Sequence, residues 1–91
     1  MITVEVPGAL EAYARGRTVV VAAPCATVRD ALRALGALHP GVLDRVLDER
    51  GELRPHVNVF VGDENTRFAG GLGAPVPEGS TITILPAVSG G

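Results

Sequence analysis

The longest stretch of apolar residues at helical spacing in this chain lies between Val28 and Leu38, and most of its other regular segments are short and alternating. Val28, Ala31, Leu32, Leu35 and Leu38 fall on one face, with Arg29, Asp30 and Arg33 pointing elsewhere, which predicts a helix from Val28 to Leu38. Thr27 followed by Asp30 three residues on is a capping-box start, and Pro40-Gly41 closes the segment. A chain of 91 residues with one amphipathic helix must bury that helix against a sheet. One domain follows.

The strands are read from period two. Ile2, Val4 and Val6 alternate with Thr3 and Glu5, and Pro7-Gly8 ends the run. Ala9 to Gly16 connects. Arg17 to Ala23 is rich in β-branched residues and predicts a second strand, antiparallel to the first and stopped by Pro24. Val42 to Arg54 is left irregular, although Val42, Leu43, Val46 and Leu47 have the spacing to pack a helical turn on the core. Val57, Val59 and Val61 alternate with Asn58 and Phe60 in a strand from His56 to Val61. Gly62 to Asn65 reads as a turn, Thr66 to Phe68 as a short return strand, Gly70 to Gly79 as a Gly/Pro loop, and Thr81 to Leu85 as the last strand. The class is α+β, a mixed sheet packed by one face on the helix. A right-handed crossover through the helix is expected to set the third main strand parallel to its neighbour, and the last strand to lie beside the first in the sheet's middle. Pro86, which has no amide hydrogen, is expected to keep the residues after Leu85 out of the ladder.

Charge and composition exclude several functions. The net charge is −2, and no cluster of basic residues marks a nucleic-acid surface. The longest apolar run, Val19 to Ala23, is far short of a membrane span, and Met1 to Glu5 has no secretion-signal pattern, so a cytoplasmic location is expected. All eight basic residues are arginine. Without lysine, the chain offers no side-chain amine through which copies could be linked to one another.

The individual reactive residues read as structural. Cys25, the single cysteine, has no histidine near it in sequence and reads as a small apolar group before the helix. His39 and His56 lack metal-ligand spacing, and no metal site is expected. Asp44, Asp48, Glu49 and Glu52 lie in a solvated run and form no catalytic pair. Gly70-Gly71-Leu72-Gly73 opens no helix and lacks the spacing of a phosphate loop, so the chain is expected to bind no nucleotide or other cofactor of its own. No catalytic residue is assigned.

Function is concentrated at the end of the sequence. Two terminal glycines would arise by composition with a probability of roughly 0.02 for 12 glycines in 91 residues. A terminal residue without a Cβ passes down a channel closed to other side chains, which suits a carboxylate that is itself the reactive group. Ala87, Val88, Ser89, Gly90 and Gly91 are therefore read as a flexible tail (87–91) on a domain spanning 1–86. Strand parity also turns Phe60 and Leu85 away from the inferred core, and with Pro86 they make a candidate partner-docking patch near the tail.

Val57-Asn58-Val59-Phe60-Val61, Arg67-Phe68-Ala69-Gly70-Gly71-Leu72 and Ile84-Leu85-Pro86-Ala87-Val88-Ser89-Gly90-Gly91 resemble the bacterial sulfur-carrier family that includes ThiS, MoaD and CysO, the CysO branch above all. The resemblance implies a β-grasp, or ubiquitin-like, fold. It implies a non-enzymatic carrier whose Gly91 carboxylate is adenylated and converted to a thiocarboxylate. The implied partners are a ubiquitin-activating-like adenylyltransferase, which uses ATP and magnesium, and a sulfur-accepting synthase. That acceptor is a cysteine synthase-like enzyme, with the molybdopterin synthase large subunit and thiazole synthase as alternatives, and a metalloprotease would release product from the tail. Conjugation of Gly91 to target proteins, as by a ubiquitin-like modifier, is the rival chemistry.

Overall fold

The computed structural model describes residues 1–21 and 25–86. Five strands form one mixed sheet: β1 (Ile2–Glu5), β2 (Thr18–Val21), β3 (Val57–Val61), β4 (Glu64–Asn65) and β5 (Thr81–Pro86). Their order across the sheet is β2-β1-β5-β3-β4. Helices α1 (Glu11–Ala14), α2 (Val28–Leu38) and α3 (Pro40–Val46) complete the domain, with single 3-10 turns at Gly8–Leu10, Thr66–Phe68 and Gly71–Gly73. This is the mixed sheet on a main helix that the β-grasp resemblance implies.

Alternation dictates which sheet face is covered. Ile2 and Val4 of β1, Val19 and Val21 of β2, Val57 and Val59 of β3, and Ile82 and Ile84 of β5 are all buried, and they meet Val28, Ala31, Leu32 and Leu35 of α2. The three inner strands, β1, β5 and β3, have neighbours on both sides and carry the fully buried Val4, Ile82 and Val59. As expected, β5 lies beside β1; it runs parallel to it, with Val4 opposite Ile82. The expectation for the third main strand fails: β3 is antiparallel to both its neighbours, β5 and β4. The connection through α2 and α3 carries the chain from edge strand β2 past β1 to β3, and β5 later fills the place between β1 and β3.

The helix start is as read. Thr27 Oγ1 accepts from the Asp30 amide at 3.3 Å, while Asp30 Oδ2 accepts from the amides of Thr27 and Ala26 at 3.3 and 3.2 Å. The loop after Gly70 locks this end in place, because the Val28 amide donates to Ala74 O and the Val76 amide to Ala26 O, both at 3.0 Å. That loop is therefore structural, with Ala74 and Val76 in the core.

Four local readings change. Glu11 to Ala14, read as part of a connection, forms a helical turn that buries Ala14 and ends at Arg15 in the left-handed region (φ 55°). Pro40-Gly41 does not merely stop α2; Pro40 starts α3, where its missing amide hydrogen would be unused anyway, and α3 buries Val42 and Val46. The short return strand is Glu64–Asn65, with Gly62-Asp63 as the turn, and Thr66–Phe68 is a 3-10 turn. The buried Thr66 hydroxyl donates to Val59 O at 2.8 Å, a partner that an extended Thr66 in the ladder would not need. Finally, Pro86 belongs to β5, registered opposite Val57. Val57 donates its amide to Arg54 O at 3.1 Å, so this pairing asks no N–H of position 86 and proline is tolerated.

Candidate functional site

The last described residues of the chain, Leu85 and Pro86, end the strand at the sheet's centre. The tail, Ala87 to Gly91, lies outside the described residues. What is on view is therefore the platform from which it departs. Leu85 sits opposite Asn58 and Phe60 opposite Thr83, so both share the sheet face away from the helices, one register step apart on neighbouring strands. Leu85 is 43% exposed, and Phe60 is half-buried. The rest of this face is small and polar, with Thr3, Thr81 and Thr83 flanked by Glu5, Asn58 and Asn65. Val20 of β2 adds a third apolar side chain toward the far edge.

Leu85 and Pro86 also form one wall of an open cleft of about 500 Å³ at the root of the tail. The opposite wall comes from the Pro7-to-Leu10 turn and from Asp44, Arg45, Arg54 and His56. Phe60 is not part of it. The two arginines are held by the fold: Arg54 donates to Asp44 O through Nε (3.2 Å) and Nη2 (3.0 Å), and Arg45 donates to Gly41 O at 3.0 Å while lying 3.7 Å over the Tyr13 ring. The sheet face and the cleft meet at Leu85. Together they give the tail's base an apolar surface with a basic rim.

Two features escaped the reading of the sequence. Phe68 is 84% exposed, the most exposed of the large apolar residues described, and it follows Arg67 at the sheet's β4 edge. Its position between Arg67 and Gly70-Gly71, without alternation on either side, was the available signal. Arg67 itself closes the part of the β3 edge that the two-residue β4 leaves open, through Nη2 to Val57 O.

Cys25 is half-buried, and burial first, then the charge of Asp30, pushes its thiol up, which keeps it protonated. Among the described residues no three His, Cys, Asp or Glu side chains are grouped to hold a metal ion. No described helix is long and apolar enough to cross a membrane.

A compact β-grasp body with an exposed central strand end running into a Gly-Gly sequence defines the ubiquitin-like carrier class. The profile of the ThiS family matches residues 4–91. The chain is 37% identical over 92 residues to the sulfur carrier protein CysO of Mycobacterium tuberculosis, covering 99% of this chain and 98% of that protein. CysO of Amycolatopsis orientalis, solved in complex with BexX, superposes with a TM-score of 0.88 at 40% identity, with full coverage of both chains. Small archaeal modifier protein 1 of Haloferax volcanii is 42% identical over 66 residues, covering 72% of this chain and 71% of that protein. The chain belongs to the ThiS family.

Proposed function

We propose that this protein is a sulfur carrier whose reactive group is the Gly91 carboxylate. The observation that carries the reading is the likeness to CysO along the whole chain, joined to a fold that presents the end of its central strand beside the Phe60/Leu85 pair. An α-carboxyl group has a pKa of about 3.3–3.7, so at neutral pH it is an anion that sulfide does not attack. Attack of a carboxylate oxygen on the α-phosphorus of ATP expels pyrophosphate and leaves an acyl adenylate. A sulfur nucleophile then forms a bond to the carbonyl carbon, the C–O bond to AMP breaks, and a thiocarboxylate results. The activating enzyme supplies ATP and magnesium. This chain supplies the carboxylate, held on five residues that span roughly 16–18 Å when extended. The domain docks outside the enzyme while the tail enters it, and the docking surface is the Phe60/Leu85 face with Pro86.

The acceptor in this reading is a cysteine synthase-like enzyme, with molybdopterin and thiazole synthesis as the neighbouring destinations. The protein acts in the cytoplasm as a co-substrate rather than an enzyme. Intact-mass measurement after incubation with the genome-encoded activating enzyme, ATP and a sulfide source tests it: one oxygen at the C-terminus should be replaced by sulfur.

The identity to an archaeal modifier protein favours a second reading, in which the same adenylate is captured by a lysine amine of a target protein. Conjugates recovered from cells, carrying Gly91 in isopeptide linkage, would establish it. This chain has no lysine, so it would be a donor and never a side-chain acceptor.

A further inference from the structure

Away from the tail, α2 presents Arg29 and Arg33 one helical turn apart on its exposed surface. Neither has an ion-pair partner among the described residues. They form a ridge between two grooves and line both. The larger, about 510 Å³, is completed by Leu53 and Leu72, by Arg50 in its ion pair with Glu52, and by Arg67, whose guanidinium is bound to Val57 O, so that Arg29 and Arg33 are its uncommitted cations. The smaller, about 280 Å³, has Asp44, Asp48 and Glu49 on its far side.

Most nearby carboxylates are already occupied. Asp48 accepts from the amides of Arg50 and Glu52 at 2.9 and 3.0 Å, which holds its carboxyl below the usual range. Glu52 lies 3.6 Å from Arg50, and Asp30 caps the helix. Of the carboxylates on these grooves, Asp44 and Glu49 have neither an ion pair nor a hydrogen bond to the carboxylate among the described residues, and Asp48 is held by amides alone. Two like charges at this spacing disfavour a helix. The chain is acidic as a whole, and its remaining carboxylates, such as Glu5, Asp63, Glu64 and Glu78, lie on the sheet and its turns. An anion is attracted to the Arg29/Arg33 side that opens on the larger groove and repelled from the acidic side of the smaller one.

We propose that the Arg29/Arg33 ridge and its larger groove dock an acidic segment of a partner protein. The inference does not rest on the sulfur-carrier reading. One helical turn separates the two arginines by about 6 Å along the axis, the spacing of two carboxylates at i and i+4 on a partner helix. Leu53 and Leu72 provide apolar contact for the intervening side chains. The Asp44, Asp48 and Glu49 carboxylates beyond the ridge disfavour a continuous run of phosphates, so protein is preferred to nucleic acid.

The test is an amide chemical-shift titration of the labelled protein with a glutamate-rich octapeptide at low salt. Shifts are expected at residues 29–33, 50–53 and 67–72, with a dissociation constant that rises roughly tenfold or more in Arg29→Glu/Arg33→Glu and also with added salt. Arg29→Gln/Arg33→Gln should fall between the two, and Arg15→Glu should bind as the parent does. Both positions are exposed, and an unchanged amide spectrum elsewhere certifies the fold. Absence of localised shifts, undiminished binding by the double variant, or tighter saturation of the same residues by inorganic phosphate or a short DNA duplex would each overturn the proposal.

Discussion

The Arg67 side chain donates from Nη2 to Val57 O at 2.6 Å, at the point where β3 has outrun its short neighbour β4. The same nitrogen lies 3.4 Å from Arg54 O and Pro55 O, and Nε lies 3.4 Å from Asn58 Oδ1. One guanidinium thus satisfies an edge that would otherwise offer unpaired acceptors to another chain. Arg67→Ala should destabilise the domain by about 1–2 kcal/mol, the range for a hydrogen bond to a charged donor that is partly solvated. Arg67→Lys should recover less than half of this, because an ammonium lacks the planar fork that serves Val57 and Asn58 together. Denaturant unfolding of both variants checks the order.

Gly36 and Leu43 set the distance between α2 and α3. A Cβ at position 36 would overlap Leu43 Cδ2 and would come within 3.0 Å of Leu43 Cβ, so the whole leucine side chain would have to move. Overpacking costs about 1–3 kcal/mol, against roughly 1 kcal/mol gained from replacing glycine within a helix. Gly36→Ala should therefore destabilise the parent. In a Leu43→Ala background the overlap with Cδ2 is removed and only the Cβ contact at 3.0 Å is left, so the same substitution should cost less by about 1 kcal/mol or more. The reduced penalty in a double-mutant cycle is the measurement.

These contacts also explain which parts of the fold could be read from the chain. Periodicity revealed α2, β1, β3 and β5 because each buries one face and exposes the other, and the capping box at Thr27 and Asp30 is local chemistry. Parity placed Phe60 and Leu85 on the face away from the core for the same reason. α3 was obscured because it is a short helix begun by Pro40-Gly41, residues that usually mark a break; proline suits its first position, and Leu43 and Gly41 pack it on Gly36 and Tyr13. The edge near β4 was misplaced by two residues, since Thr66 is buried through a hydroxyl bond to Val59 and not through alternation. Strand direction was misjudged for β3 because its neighbour β5 arrives last in the chain.

Asp48 predicts a pH dependence of sign opposite to that of a buried acid. The Glu52 amide, and after it the Arg50 amide, lowers its pKa in the folded protein below the ordinary carboxylate value. Its contribution is therefore fully present above the unfolded value, about 3.9, and is lost as pH falls through the lower folded value. Parent and Asp48→Asn stabilities should differ at neutral pH and converge in acid below that range. A difference that persists unchanged through the acid range would contradict the depressed pKa.

The sheet face separates stability from recognition. Leu85 is exposed, so Leu85→Ala should leave the melting temperature nearly unchanged and weaken binding to the activating enzyme by about 1–2 kcal/mol, as truncated interface anchors do. Phe60 is half-buried, and Phe60→Ala should lower both stability and affinity. Phe68→Ser, at the most exposed apolar residue described, serves as the comparison: unchanged stability is expected, and any affinity loss would extend the docking surface to the β4 edge. Unaltered affinity of the folded Leu85 and Phe60 variants would move the surface elsewhere.

The position of the terminal carboxylate should matter more than any docking contact. Deleting Gly91, or adding one residue after it, shifts the nucleophilic oxygen by a full residue, about 3.3–3.6 Å along an extended chain. Misplacement of reacting atoms by about 1 Å already costs on the order of a hundredfold in rate. Both variants should keep the parent's melting temperature and its affinity for the activating enzyme, since the face at Phe60 and Leu85 is untouched. Their ATP-dependent adenylation should fall below detection, read as loss of pyrophosphate release and of the thiocarboxylate mass. Gly91→Ala keeps the length and should retain a fraction of the rate, limited by the Cβ in the channel. Parental turnover in the extended variant would show that the free carboxylate of Gly91 is not the group activated.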